Sequence, residues 1–192
     1  NCMGFSQEDE SEKPEAAWEN PVLVIVRGIK YNESYKMLTG GICMGSYLNP
    51  GNEAFAVALN SEIYVDKTGL LTYTNKVMNT LQGYICNSRP RRFGKSFAAN
   101  MLAAYYSKGC DSRKMFSGLA ISQTADFEKH LNQYDVIHLD IQWFLSNVSD
   151  PEQIVAYITE CTLAELRTIY ADQLPPEVST VPDACLLYTS PS

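Results

Sequence analysis

Residues 88–96 read Ser88, Arg89, Pro90, Arg91, Arg92, Phe93, Gly94, Lys95 and Ser96, a set of types suited to holding a polyphosphate. A glycine-lysine-serine triplet at the start of a helix aims backbone N–H groups at an anion. The helix N-terminus adds roughly half a positive charge. The Lys95 ammonium would reach β- and γ-phosphates, and the Ser96 hydroxyl would ligate Mg²⁺. Gly94 has no Cβ to keep backbone and phosphate apart. The usual pattern is G-x-x-x-x-G-K-[ST]. Here Arg89 stands at the first glycine position.

Two elements must present this loop. The β-prone run Gly83, Tyr84, Ile85, Cys86, Asn87 precedes it, and a helical run over 97–107 follows. Strand, tight loop, Gly-Lys-Ser and helix together make a phosphate-binding P-loop. In the helix Phe97, Met101, Leu102, Tyr105 and Tyr106 recur at helical spacing and mark its core face, with Gly109 ending it.

Composition narrows the alternatives. The 192 residues suffice for one domain with a sizeable core, and 45% are apolar. A net charge of −7 argues against a general nucleic-acid coat or a membrane-surface protein, and sets the arginines of the loop apart. The cysteines Cys2, Cys43, Cys86, Cys110, Cys161 and Cys185 show no C-x-x-C spacing. They read as free thiols of a reducing compartment. The longest aliphatic run, 22–26, is too short to span a bilayer, and no signal peptide is evident. A cytoplasmic protein is expected.

Residues 1–43 open with an acidic tail (Glu8, Asp9, Glu10, Glu12) and contain one strand candidate at 22–26. Gly40, Gly41, Ile42 and Cys43 ahead of Met44 read back as GGA-GGA-ATA-TGC-ATG, a ribosome-binding site before a start codon. Residues 1–43 are therefore expected to be translated upstream sequence. Asn52 is expected to cap a helix over 53–59, and Asp66 or Thr68 one over 70–81. Residues 63–65 favour an extended form. Asp66 and Lys67 suit catalysis or, more commonly for an acid before a helix, a cap and a solvated charge. A strand over 134–140 ends in Asp140, which invites a Mg²⁺-holding role, but no second acid follows it. His138 reads as a strand residue. Ser149, Asp150, Pro151 and Glu152 start a helix running to about Tyr170, with Ile154, Val155, Ile158, Cys161, Leu166 and Ile169 as its buried stripe. Residues 185–192 read back as TGT-CTC-TTA-TAC-ACA-TCT-CCG-AGC, a transposase-end sequencing adapter. They are expected to lie outside the gene.

Three blocks carry a resemblance. Tyr64, Val65, Asp66, Lys67 and Thr68 match a "YVDKT" segment, and residues 88–96 match an "RPRRFGK[ST]" loop. Phe116, Ser117, Gly118, Leu119, Ala120 and Ile121 match "LFxGLxI", with the strand 134–140 after it. From Met44 to about Gln173 the chain resembles the predicted AAA-ATPase-like family of bacterial proteins, which often carry a restriction-nuclease-like C-terminal domain. The arginine-rich loop is the family's habitual form, which accounts for Arg89. In the family a Walker B strand ends in an Asp-Glu pair after the long helix, and no such pair follows that helix here.

The resemblance implies an α/β fold, the three-layer αβα core of a P-loop NTPase, of which residues 44–184 are the front part. It implies ATP and Mg²⁺ as cofactors and ATP hydrolysis in the full-length protein. Arg89, Pro90, Arg91, Arg92, Phe93, Gly94, Lys95 and Ser96 are the implied nucleotide-binding residues, with Ser96 also the metal ligand. Arg91 and Arg92 either clamp phosphates or pair with acidic side chains. With no catalytic base in view, these residues alone are expected to bind nucleotide without appreciable turnover. The alternatives are a small-molecule kinase fragment and a non-catalytic module whose arginines dock nucleic acid or a protein partner.

Overall fold

The computed structural model describes residues 46–88, 93–170, 174 and 176–184, together with the backbone of 22–27. It is a mixed, mainly helical α/β arrangement. The elements are β1 (Val22–Arg27), α1 (Glu53–Leu59), α2 (Gly69–Val77), α3 (Lys95–Tyr106), α4 (Arg113–Phe116), α5 (Phe127–His130), β2 (Asp135–Asp140), α6 (Ile141–Asn147) and α7 (Ile154–Ile169). The 3-10 turns Ala120–Gln123 and Pro151–Gln153 complete the order. Residues 1–21, 28–45, 89–92, 171–173, 175 and 185–192 lie outside the described set, and with them the tail and most of the leader, but the strand candidate at 22–26 falls in β1.

Among the described residues the sheet has two parallel strands, with Val22 opposite Asp135 and Arg27 opposite Asp140. α3 and α6 lie against β1. The strand expected before the loop is not formed. Residues 83–88 have no regular structure and are exposed, Tyr84 to 98%. The neighbour of β2 is instead the Val-Leu-Val-Ile-Val run, which is richer in β-branched residues than Tyr84, Ile85 and Cys86. Residues 61–67, which include the run read as extended, also form no strand.

β2 serves two apolar clusters, because successive side chains point to opposite faces of a strand. Val136 joins a cluster with Phe55, Leu71, Met101, Tyr105, Tyr106, Phe116 and Ile121. Ile137 and Leu139 join another with Leu48, Phe144, Leu163 and Leu166. The face of α3 read as core is buried at Met101, Tyr105 and Tyr106. The stripe read along α7 holds except at Val155, which is 70% exposed, while Thr162 and Leu163 face inward.

Buried polar groups tie the elements together. The Tyr106 hydroxyl meets Thr74 Oγ1 at 2.6 Å and Asn75 Oδ1 at 2.6 Å, fixing α2 against α3. The end of α3 is held by Asn132, whose Nδ2 donates to the carbonyls of Ala104 (3.1 Å) and Ser107 (2.8 Å). Gly109 does not terminate the helix, which stops at Tyr106. A Cβ at Gly109 would lie 2.9 Å from the Asn49 carbonyl oxygen, so glycine is needed there for close approach. Asn52 makes no side-chain cap on α1 and donates instead to Ser112 Oγ at 2.9 Å. Cys86, Cys110 and Cys161 are free thiols, and Cys110 donates to the Pro50 carbonyl at 3.3 Å. Cys2, Cys43 and Cys185 lie outside the described residues. Among the described residues no helix is long and apolar enough to cross a membrane.

Candidate functional site

The start of α3 combines a left-handed turn with a helix N-terminus. Gly94 has φ 76° and ψ 33°, and Lys95 follows as the first helical residue. A left-handed residue followed by a right-handed one turns successive N–H groups toward the same side, the backbone geometry of an anion nest. Those amides belong to Gly94, Lys95 and Ser96. The Gly94 carbonyl already accepts from Ala98 N at 3.0 Å, closing the first turn. α3 has no acidic residue in that turn, so nothing on the helix itself neutralises its positive end. Phe93 is 60% exposed at the loop exit. Arg89, Pro90, Arg91 and Arg92 lie outside the described residues.

The segment 64–68 forms the wall beside this turn. Asp66 Oδ1 accepts from Thr68 N at 2.8 Å, a local turn leading into α2. Its other oxygen accepts from Ala120 N at 2.8 Å. Thr68, fully buried, accepts from Ile121 N through Oγ1 at 3.1 Å. Burial works to raise the Asp66 pKa, but the Ala120 and Thr68 hydrogen bonds outweigh it and hold the carboxyl below its usual range. Asp66 is thus a structural acceptor at the entry to α2. Thr68 is the N-cap residue by position, but its side chain serves Ile121 rather than α2.

Lys67 is not simply solvated. Its ammonium reaches across to the loop, with Nζ 3.5 Å from the Phe93 carbonyl oxygen and 5.5 Å from the centroid of the Phe97 ring. Phe97 in turn packs on Phe55 and Tyr64, with centroids 5.7 and 5.6 Å away. The Tyr64 hydroxyl is buried and has no hydrogen-bond partner among the described residues. Burial and the Asp66 charge push this phenol up to about 12. The three sequence blocks 64–68, 93–96 and 116–121 therefore meet in space. No spacing in the sequence announces the Lys67 contact; the one available signal was a Lys flanked by two helix-capping types.

Gly94 answers to two constraints at once. Its φ lies where L side chains are strained, and a Cβ there would stand 2.6 Å from Lys67 Nζ. The expected result for Gly94→Ala is a loss of about 1–2 kcal/mol from the left-handed backbone alone, read by urea denaturation. Unchanged stability would mean that the turn relaxes at no cost.

Asp140 stands apart from this cluster. Its Oδ1 accepts from Gln142 N at 3.1 Å and Trp143 N at 3.3 Å, capping α6. That local role accounts for an acid at the end of β2. His138 is a residue of β2, with its amide on the Tyr47 carbonyl at 2.7 Å. No group of three or more His, Cys, Asp or Glu with metal-holding geometry occurs among the described residues.

No curated protein and no solved structure matches the chain. A family model described as Predicted AAA-ATPase matches residues 53–183, a span that takes in the 64–68 wall, the Gly94 turn and the 116–121 block. The chain therefore belongs to the predicted AAA-ATPase family.

Proposed function

We propose that residues 89–96 are a nucleotide-binding P-loop for ATP with Mg²⁺. The observation that carries this reading is the Gly94 turn feeding a twelve-residue helix that begins Lys95-Ser96 without an acid in its first turn. Consecutive amides, a positive dipole end and a lysine at one place suit a phosphate tail. The buried Tyr64 hydroxyl, without a partner among the described residues, suits a polar ligand beside Phe97. Gly94, Lys95 and Ser96 would hold the β- and γ-phosphates. Ser96 would ligate the metal, which would supply charge neutralisation on the phosphates. Arg89, Pro90, Arg91, Arg92 and Phe93 are proposed with the loop as nucleotide-binding residues.

This reading extends to the architecture and to the unit that folds. The apolar clusters on either side of β2 support a three-layer αβα core, built from residues 44–184 with β1 as the partner strand of β2. A complete ATPase also needs a group that aligns the attacking water. Asp140 and Asp66 already spend carboxylate oxygens on backbone amides.

The test is titration of the 192-residue chain with a fluorescent ATP analogue, with and without Mg²⁺, alongside malachite-green phosphate release. Saturable, Mg²⁺-enhanced binding with negligible turnover is expected. Salt-sensitive DNA binding with no nucleotide binding would replace this reading with a docking role for the arginines.

A further inference from the structure

We propose that Lys67 is a second lysine of the phosphate site, one that positions the loop exit and adds its charge to the field around the bound phosphates. The inference rests on the P-loop reading and assigns a role to a residue outside the loop. Three observations carry it.

The first is the contact itself. Lys67 Nζ lies 3.5 Å from the Phe93 carbonyl oxygen, at the peptide that joins Phe93 to Gly94. In a trans peptide the C=O and N–H point in opposite directions. Drawing the Phe93 carbonyl toward Lys67 therefore turns the Gly94 N–H away from it, and this amide is the first of the three in the nest.

The second is the anchoring. A lysine side chain has four rotatable bonds and is normally free to leave such a contact. Here its neighbours on both sides are fastened, Asp66 to Ala120 N and Thr68 to Ile121 N. The Phe97 ring lies below the ammonium, and the space over Gly94 is open to it only because Gly94 lacks a Cβ.

The third is charge. Among the described residues no carboxylate pairs with Lys67; the adjacent Asp66 gives its oxygens to Thr68 N and Ala120 N. An ammonium held beside a helix N-terminus, one residue from Lys95, is an unfavourable concentration of positive charge until an anion arrives.

The experiment compares fluorescent ATP and ADP analogues on wild type, Lys67→Met, Lys67→Arg and Lys95→Ala, all as the 192-residue chain. Lys67→Met keeps most of the stem and removes the charge and the donor. Loss of about tenfold in ATP affinity is expected, with a smaller loss for ADP, from removing one positive charge that holds and flanks the loop amides. Lys67→Arg should recover most of it, and thermal melts of both variants should match wild type. Wild-type ATP affinity in Lys67→Met, with binding lost in Lys95→Ala, would overturn this inference and leave the P-loop reading standing. Equal losses for ATP and ADP with no recovery in Lys67→Arg would also overturn it, since that is the mark of a packing role. If wild type binds neither analogue, the P-loop reading fails and this inference with it.

Discussion

Lys95→Ala is expected to lower Mg²⁺-ATP affinity by about a hundredfold while leaving the fold intact. A hydrogen bond from a charged donor to a phosphate contributes about 1.5–3 kcal/mol, and the upper end of that range is close to two powers of ten in affinity. The fold should not suffer, because Lys95 is the first residue of α3. A cation at the positive end of a helix is unfavourable, and alanine is the better helix former. Titration and a urea melt on the same preparations separate the two effects. Weaker binding with an unchanged or slightly raised melting point supports the phosphate role. A joint loss of binding and stability would assign Lys95 to structure.

The largest stability effect is expected at Asp135. This carboxylate is 2% exposed and receives three side chains from different parts of the chain. Lys108 Nζ approaches at 2.8 Å, the Tyr170 hydroxyl at 2.6 Å and Asn49 Nδ2 at 2.9 Å. One residue at the head of β2 thereby joins the strand to the stretch after α3, to the end of α7 and to the segment before α1. Asp135→Ala leaves those donors without their acceptor. Removing one partner of a buried pair costs about 3–5 kcal/mol, and the partly exposed Lys108 can reach water, so about 3 kcal/mol is the expectation. Burial acts to raise the Asp135 pKa, but the hydrogen bonds from Lys108, Tyr170 and Asn49 and the Lys108 charge outweigh it, and the net shift is downward. A depressed folded-state pKa gives stability that is full above the unfolded value of about 3.9 and lost as pH falls through the folded value. Urea melts of wild type from neutral pH into the acid range should therefore show stability falling below about pH 4. Asp135→Ala should start lower and fall less. Parallel curves for the two proteins would show that Asp135 does not set the acid limit.

Much of the helical framework was legible from sequence, and the reasons are local. α1, α3 and α7 announce themselves by apolar spacing and by turn or proline signals at their starts, and β2 by its Val-Ile-His-Leu run. The helix start at the Gly-Lys-Ser triplet was legible from the helical run after it, whereas the left-handed turn at Gly94 was not. What was hidden is tertiary. Two β-prone runs, 22–26 and 84–86, competed for the neighbour position of β2, and side-chain period does not say which one pairs. Asn52 has a capping residue's type and place, but its amide finds Ser112, sixty positions away, a better partner. The reach of Lys67 to Phe93 depends on the docking of 64–68 against 116–121, which no spacing encodes.

β2 is a party wall. One face lends Val136 to the aromatic cluster beneath α3, and the other lends Ile137 and Leu139 to the cluster under α7. Neither side can let go of the strand without exposing what the other has buried against it, so one shared melting transition is expected for the two clusters.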